Sequence, residues 1–270
     1  MISGLPRSGS TLLCNLLNMN PRFHATPTSG VIEVVKSMRS TISSSITWRA
    51  KDRLSLLPNI QKGLEGFVNG FYYDKEIVFD KCRVWSSHLQ LMDEILGNTD
   101  TKIIWTYRDP VEIIGSMESK YQKTILLENM DESSAPMAFS TLDRRIGTYT
   151  APEGLLSYPI ECLRDAIEMG YRDRILILTY YDITNNTQIV MDTIHDFLGE
   201  PRQPYDLKDL KQTTFEFDGF YNYKFPHSIK EGQVKFKQSS NVLPDKYKQA
   251  INDRFAGLNQ FILTNDPSTL

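Results

Sequence analysis

Short apolar runs that end in polar or charged residues alternate along the chain with stretches whose apolar residues recur at helical spacing. The runs cover residues 76–81, 102–107 and 174–180, and a shorter one opens the chain before Gly4. Continuous apolar runs of this length are typical of strands buried in a parallel sheet. Strands that alternate with helices predict an α/β fold in three layers, α/β/α, with a central parallel sheet covered by helices on both faces.

Helical periodicity accounts for most of the remaining chain. With 270 residues the chain is long enough for one large domain, and we expect residues 1–270 to form a single one. Residues 128–136 are acidic and serine-rich and predict a loop, whereas residues 203–241 lose the alternating pattern and are rich in aromatic and basic residues. One predicted helix begins after Gly9 and another begins at Pro110. The other predicted helices cover residues 31–39, 54–72, 87–96, 137–148, 153–169, 189–198 and 244–261.

The start of the chain, MISGLPRSGSTLLCNLL, predicts a strand, a tight loop and the beginning of a helix. Gly4 and Gly9 bracket the loop, and the helical pattern begins at Ser10. Such a loop points successive backbone N–H groups and the positive end of a helix dipole into one concavity. We therefore expect it to bind a phosphate or another tetrahedral oxyanion.

Nucleoside-triphosphate loops have the pattern G-x-x-x-x-G-K-[ST], but here Ser10 stands at the lysine position and the positive charge is Arg7, inside the loop. The missing lysine argues against a kinase or ATPase. The segment LPRSGSTLL instead resembles the 5′-phosphosulfate loop of sulfotransferases that use 3′-phosphoadenosine 5′-phosphosulfate (PAPS), in the arginine-bearing form of the tyrosylprotein and carbohydrate branches. The resemblance implies a P-loop-like fold and assigns Arg7, Ser8, Gly9, Ser10 and Thr11 to the donor.

A second anion motif begins at the end of the predicted strand 102–107. Arg108 follows that strand, and Ser116 lies eight residues later, on the side of the next helix that faces the sheet. An arginine fork and a hydroxyl that converge on one spot can hold a phosphate. The pair resembles the 3′-phosphate site of sulfotransferases; the alternative is that Arg108 pairs with a carboxylate and Ser116 packs on the sheet.

The resemblance extends to three further residues. Lys81, at the end of the predicted strand 76–81, matches the lysine that reaches the oxygen bridging phosphate and sulfate, although it also fits a solvated strand end. Tyr180 matches the aromatic residue at the adenine end of the donor, or covers a sheet edge. Lys230, in a basic segment with Gly232, is a candidate for the family's cover over the 3′-phosphate.

The base that accepts the proton of the acceptor hydroxyl departs from the family pattern. The tyrosylprotein and carbohydrate branches have a Glu after the first helix, where this chain has residues 27–29, Pro-Thr-Ser. The cytosolic branch has a His two residues after the strand-end lysine, where this chain has Arg83, which cannot accept a proton near neutral pH. The remaining candidates are His88, which we rank first as a catalytic residue, then His24 and Glu33.

Composition narrows the class of protein further. A formal net charge of -3 and a pI near 5.9 give no global attraction to nucleic acid or an anionic membrane, so an anion site must be local. Cys14, Cys82 and Cys162 form no C-x-x-C pair, which argues against a disulfide framework and a structural zinc site and fits a reducing compartment. We expect no metal, no nucleic-acid partner, no membrane segment and a cytoplasmic location.

The sequence therefore predicts a sulfotransferase that moves the sulfuryl group of PAPS to an acceptor hydroxyl by in-line, metal-independent transfer. The alternatives are a P-loop kinase for a small molecule or nucleotide, and a non-catalytic descendant that binds the nucleotide. The acceptor stays open between carbohydrate, lipid, phenol and peptide hydroxyls. Residues 203–241, the late excursion, contain aromatic side chains that either line an acceptor pocket or bury this excursion. They are Phe215, Phe217, Phe220, Tyr221, Tyr223 and Phe225.

Overall fold

The computed structural model describes residues 1–126, 140–217, 227–264 and 266–270. Its strands are short and all pair in parallel, as the continuous apolar runs predicted. The predicted loop at 128–136 and four of the aromatic residues of the late excursion, Phe220, Tyr221, Tyr223 and Phe225, lie outside the described residues. The strands are β1 (Ile2–Gly4), β2 (Phe23–Ala25), β3 (Ile77–Phe79), β4 (Ile103–Tyr107) and β5 (Ile175–Thr179).

The strands form the spatial order β2-β3-β1-β4-β5. β1 pairs with β4 and β4 with β5, while β2 pairs with β3. A parallel bridge between Ile2 and Lys81 joins β3 to β1, with the Ile2 amide donating to the Asp80 carbonyl at 2.8 Å. After β1 the chain forms β2 and β3 on one side of that strand, and it then crosses to form β4 and β5 on the other side. In open parallel sheets the crevice beyond the strand ends at such a switch point is the usual ligand site.

Helices surround the sheet at most of the predicted places. Residues 137–139 of one predicted helix lie outside the described residues. The helix observed there begins after Thr141, whose hydroxyl accepts from the Arg144 amide and so caps the helix. The helices are α1 (Ser10–Leu17), α2 (Val31–Ser44), α3 (Ile46–Arg49), α4 (Leu57–Phe71), α5 (Leu89–Leu96), α6 (Pro110–Lys123), α7 (Leu142–Thr150), α8 (Ser157–Glu168), α9 (Tyr180–Asn185), α10 (Thr187–Leu198), α11 (Asp245–Arg254) and α12 (Ala256–Thr264).

The prediction of one continuous helix over residues 244–261 is wrong. This stretch divides into α11 and α12 at Phe255, whose backbone leaves the helical region with φ -108° and ψ 20°. The break turns the apolar side of α12 inward, so that Phe255, Leu258 and Phe261 are all buried in the core. Burial of three apolar side chains compensates for the interrupted helical hydrogen bonds.

Apolar side chains cover both faces of the sheet, as the alternation within β4 shows. Ile104 belongs to the hydrophobic cluster that includes Leu13 of α1, while Ile103 and Trp105 belong to the cluster on the opposite face. Successive side chains of a strand point to opposite faces, so each face has its own core. The prediction of a three-layer α/β/α fold with a central parallel sheet is therefore confirmed.

Candidate active site

The loop between β1 and α1 has the shape of an anion cradle. Gly9 adopts the left-handed conformation at φ 88° just before α1, and Arg7, although not a glycine, adopts it at φ 58°. A non-glycine residue in that region costs about 1–3 kcal/mol and is typical of functional loops. The Ser8 hydroxyl turns inward, donating to the Leu5 carbonyl at 2.5 Å and lying 2.6 Å from Thr106 Oγ1. Ser8, predicted to contact the donor, is fully buried and is not among the described residues that line the cavity.

The second motif lies directly beside this loop because β4 pairs with β1. Asp109 caps α6 by accepting from the Val111 amide at 2.8 Å, which fixes the direction in which the helix leaves the strand. Arg108 Nη1 donates to the Arg7 carbonyl at 3.1 Å, and Arg7 Nε donates to Ser116 Oγ at 3.4 Å. The structure thus brings together the two anion motifs that are about a hundred residues apart in the sequence.

The Arg108 guanidinium is nearly buried, at 7% exposed, and its position is fixed by several contacts. Nη2 donates to Glu112 at 3.2 Å, to the Lys237 carbonyl at 2.8 Å and to Ser239 Oγ at 3.1 Å. Burial lowers the pKa of Arg108, and Tyr180 and Glu112 oppose that decrease. Its Nε has no hydrogen-bond partner among the described residues. An unpartnered buried N–H is costly unless a ligand supplies an acceptor.

Tyr180 begins α9 and packs between the two motifs. Its ring centroid lies 4.4 Å from Arg108 Cζ and 5.5 Å from the centroid of the Phe236 ring. A Cβ on Gly9 would lie 2.8 Å from the Tyr180 ring, so the loop can pass this close to the ring only with glycine there. The ring thus forms a flat wall beside the anion loop.

Both motifs open into one cavity of about 770 Å³. Its described lining includes Ser116, Tyr180 and the loop residues Arg7, Gly9, Ser10 and Thr11. The chain has net charge -3, yet the described lining contains lysine and arginine side chains, one histidine (His227) and no Asp or Glu. The lining cations are Arg7, Lys81, Arg83, Arg108, Lys120, Lys230, Lys235 and Lys237. This cluster is the local anion site that the composition required.

Lys81 follows β3, which adjoins β1 through the Ile2–Lys81 bridge, so its side chain reaches the same cavity. Burial lowers the pKa of Lys81, while the Cys14 thiol and the Glu216 carboxylate oppose that decrease. Lys230 comes from the late segment and lines the opposite part of the wall. The structure therefore places both predicted lysines at the cavity.

The three predicted candidates for the base lie elsewhere. His88 ends a 3₁₀ turn and packs edge-on against Trp85, with ring centroids 6.4 Å apart, and burial lowers its pKa. His24 lies in β2 near Tyr72, and Glu33 is exposed in the first turn of α2. None of the three is among the described residues that line the cavity. The placement gives the prediction of His88 as catalytic base no support.

Sequence reasoning missed a buried pair at this cavity. His227 lines the cavity, and its Nδ1 lies 2.6 Å from Glu216 Oε2. Neither His227 nor Glu216 is among the residues that the sequence patterns predicted for the site. The exposed Phe215 and Phe217 do not line the cavity. Glu216 lies between Phe215 and Phe217, and His227 lies eleven residues later, so no spacing in the sequence connects the two.

Two features are absent from the described residues. Among them, no helix is long and apolar enough to cross a membrane. In the same part of the chain, no group of three His, Cys, Asp or Glu side chains is arranged to hold a metal ion.

Comparison with known proteins identifies the family to which this fold and its paired anion motifs belong. Residues 1–242 match the sulfotransferase domain family, so the chain belongs to that family, as the two motifs predicted. Sulfotransferase 2A2 of Rattus norvegicus is 29% identical over 154 residues, which are 54% of this chain and 50% of that protein. The chain thus spans about half the length of the curated relative that it matches.

Two solved proteins that are named as sulfotransferases align with most of the chain. Sulfotransferase STF9 from Mycobacterium avium aligns with a TM-score of 0.49 and 14% identity over 94% of this chain and 74% of that one. The sulfotransferase domain from the curacin biosynthetic pathway aligns with a TM-score of 0.49 and 16% identity over 94% of this chain and 96% of that one.

Proposed function

We propose that the chain is an enzyme, a PAPS-dependent sulfotransferase that transfers the sulfuryl group to a hydroxyl of a small molecule, carbohydrate or peptide. The observation that supports this most is the single cavity into which both anion motifs open. PAPS carries charge at two separate ends, the 5′-phosphosulfate and the 3′-phosphate, and therefore needs two anion sites in one cavity. The described lining offers eight lysine and arginine side chains for them.

In this proposal the loop after β1 holds the phosphosulfate. Arg7, Gly9, Ser10 and Thr11 line the cavity where α1 begins, and the start of a helix is suited to an oxyanion. Lys81 reaches the same cavity from the end of β3. Negative charge grows on the leaving phosphate during sulfuryl transfer, as in phosphoryl transfer. Arg7 and Lys81 supply fixed positive charge for it, so the proposal assigns no metal.

The second motif holds the 3′-phosphate. Arg108 and Ser116 both line the cavity, and the unpartnered Nε of Arg108 is a donor that a phosphate oxygen would satisfy. Tyr180 is assigned to the adenine because its ring forms a wall next to Arg108. Lys230 is assigned to the cover over this phosphate. These residues thus fit the donor, and the acceptor occupies the rest of the cavity.

The proposal also covers organisation and location. Residues 1–270 are assigned to one sulfotransferase-like domain, because the cavity takes its lining from positions between Ser3 and Ser239. A cytoplasmic location is supported by the three cysteines, Cys14, Cys82 and Cys162, which are all free thiols.

Calorimetric titration with 3′-phosphoadenosine 5′-phosphate (PAP), without metal, tests the donor. PAP is expected to bind more tightly than AMP, which lacks the 3′-phosphate, and more tightly than ATP with or without magnesium. Arg108→Ala is expected to weaken PAP binding about 10- to 100-fold while leaving AMP almost unaffected, because one charge-assisted contact contributes about 1.5–3 kcal/mol.

Arg202→Ala is the matched control. It removes the same charge from an exposed ion pair with Asp196, outside the cavity lining, and is expected to leave PAP binding unchanged. Tighter binding of ATP with magnesium than of PAP would refute the sulfotransferase and favour the kinase. Equal binding of PAP and AMP would contradict the assignment of a 3′-phosphate site to Arg108 and Ser116.

A further inference from the structure

A buried acid–base pair lies at the wall of the donor cavity. His227 lines the cavity beside Lys81 and Arg7, and its Nδ1 lies 2.6 Å from Glu216 Oε2. The two side chains are only 14% and 10% exposed. Among the described lining residues, His227 is the one histidine, and histidine is the side chain that most often serves as a general base. Neither member of the pair is used in the assignment of the donor.

The two stretches that carry the pair are joined to each other. The Gly232 amide donates to the Leu210 carbonyl at 2.9 Å across an antiparallel bridge. Closer to the pair, the Ile229 amide donates to Gln212 Oε1 at 2.8 Å, and Gln212 Nε2 donates to the His227 carbonyl at 3.4 Å. These bonds fix the backbone of His227 relative to residues 210–212, which precede Glu216 in the chain.

The pair is also tied to the anion loop through one fully buried side chain, Asn15 of α1. Asn15 Oδ1 accepts from the Thr213 amide at 2.6 Å and the Thr214 amide at 3.2 Å. Its Nδ2 donates to the Thr11 carbonyl at 2.8 Å, one turn earlier in the helix. Since Thr11 belongs to the anion loop and Thr214 lies two residues before Glu216, the donor site and the pair are held in one arrangement.

Several neighbouring groups act on the carboxylate of the pair. Burial by itself raises the pKa of Glu216, but the neighbouring His227, Thr28 and Lys81 side chains together bring it below its usual value. An ionised carboxylate at Nδ1 selects the tautomer in which Nδ1 carries the proton and Nε2 carries the lone pair. It also stabilises the imidazolium that forms when Nε2 accepts a second proton.

We infer that His227 is the catalytic base of sulfuryl transfer and that Glu216 is its positioning residue; this inference rests on the function proposed above. His227 Nε2 takes the proton of the acceptor O–H as that oxygen bonds to sulfur. The bond between sulfur and the 5′-phosphate oxygen breaks, and its electron pair stays on that oxygen, beside Lys81 and Arg7. The products are the sulfated acceptor and PAP, and the imidazolium returns its proton to solvent.

The test uses His227→Asn and His227→Ala in the full chain. Asn retains an N–H that can donate to Glu216, so this variant preserves the fold while it removes the basic nitrogen. Turnover is followed as PAP released from PAPS, with water, a simple alkyl alcohol, a phenol and a monosaccharide as acceptors. Removal of a general base is expected to lower kcat about 10²- to 10⁴-fold. The affinity for PAP is expected to change less than about twofold, because the anion contacts remain.

Three further measurements separate catalysis from structure. Added imidazole is expected to restore part of the activity of His227→Ala, because a diffusible base can enter the space left by the ring, and to have no effect on the wild type. Glu216→Gln is expected to lower kcat without a change in the KM for PAPS, whereas Glu216→Asp retains more activity. His88→Ala is the control for histidine removal and is expected to keep full turnover.

Each contrary result overturns a different statement. Full turnover by both His227 variants, or loss of turnover in His88→Ala alone, refutes the assignment of the base. A wild type that binds PAP but transfers to no acceptor, including water, refutes the catalytic role of His227 and leaves the donor site standing. A wild type that fails to prefer PAP over AMP refutes the proposed function itself.

Discussion

The two walls of the cavity are built in different ways. The strand-end wall, formed by residues 4–11, Lys81, Arg108 and Ser116, follows directly from parallel strands whose ends meet at one edge. In the late segment, residues 203–241, the described residues have an isolated bridge and depend on individual side chains, chiefly Asn15 and Glu112, to hold them against the helices. Backbone pairing therefore positions the charges, whereas single side chains position the cover. Single substitutions should disturb the second wall far more selectively than the first.

The largest effect is expected from Asn15→Ala, which removes the link between the two walls. The partly buried Thr213 amide and the buried Thr214 amide lose their acceptor, so the free energy of unfolding should fall by about 3 kcal/mol. Chemical denaturation measures this loss, and limited proteolysis should show faster cleavage within the late segment.

Asn185→Ala is the control for asparagine removal from a helix, since Asn185 is exposed and its amide bonds only to the neighbouring turn. It should leave both stability and cleavage nearly unchanged. If Asn15→Ala behaves like this control, the late segment is held by contacts other than Asn15.

A smaller effect is expected from Gly115→Ala in α6. A Cβ there would meet the Ser239 carbonyl oxygen, so the late segment must move away from Glu112, which accepts from the Ser239 amide at 2.5 Å and the Ser240 amide at 3.1 Å. Overpacking of this kind costs about 1–3 kcal/mol. Because Ser239 also contacts Arg108, PAP affinity should fall together with stability.

Gly63→Ala in α4 provides the matched control, since a Cβ at Gly63 meets nothing within 4 Å. Alanine is the better helix former, so this variant should gain about 0.5–1 kcal/mol and bind PAP normally. A Gly115→Ala variant that is stabilised in the same way would show that the late segment packs less closely on α6 than the structure indicates.

The smallest effect is a dependence on pH. The pKa of Glu112 and the pKa of Glu216 are both lowered by hydrogen bonds against the opposing effect of burial. A carboxylate with a lowered pKa in the folded state contributes stability that is complete above its unfolded pKa, about 4.3, and is lost as pH falls through the folded value. Acid should therefore loosen the late segment before it unfolds the sheet.

Urea unfolding of the wild type and of Glu216→Gln, at neutral pH and near pH 4, measures this contribution. The difference in stability between the two proteins should be largest at neutral pH and should shrink as pH falls. Glu168→Gln, at an exposed position of α8, should follow the wild type at both pH values. A constant difference would show that Glu216 acts through shape and not through its charge.

Local sequence patterns sufficed for the strand-end wall. Arg7, Arg108 and Ser116 could be assigned because the apolar runs define the strands and the functional residues follow at fixed offsets. Side-chain direction was beyond such patterns. Ser8 turns away from the cavity because Thr106, far along the chain, offers its hydroxyl at 2.6 Å.

Long-range contacts explain what the sequence did not predict. The division of the last helix at Phe255 depends on the core that receives the ring. The pairing of Glu216 with His227 depends on Asn15 and Gln212, which no periodicity connects. His88 was predicted as the base because an imidazole suits that role, and the placement of its ring against Trp85 was not visible in the sequence.

The contrast between a chain of net charge -3 and a cavity lined by eight basic side chains has a kinetic consequence. Such a field speeds the arrival of a multiply charged anion and weakens as salt screens it. The spent nucleotide leaves with its phosphates intact, so it faces nearly the same attraction as the donor. Under the proposed reaction, the slow step at saturating substrate is then escape of the nucleotide, and moderate salt should quicken each cycle while it weakens capture.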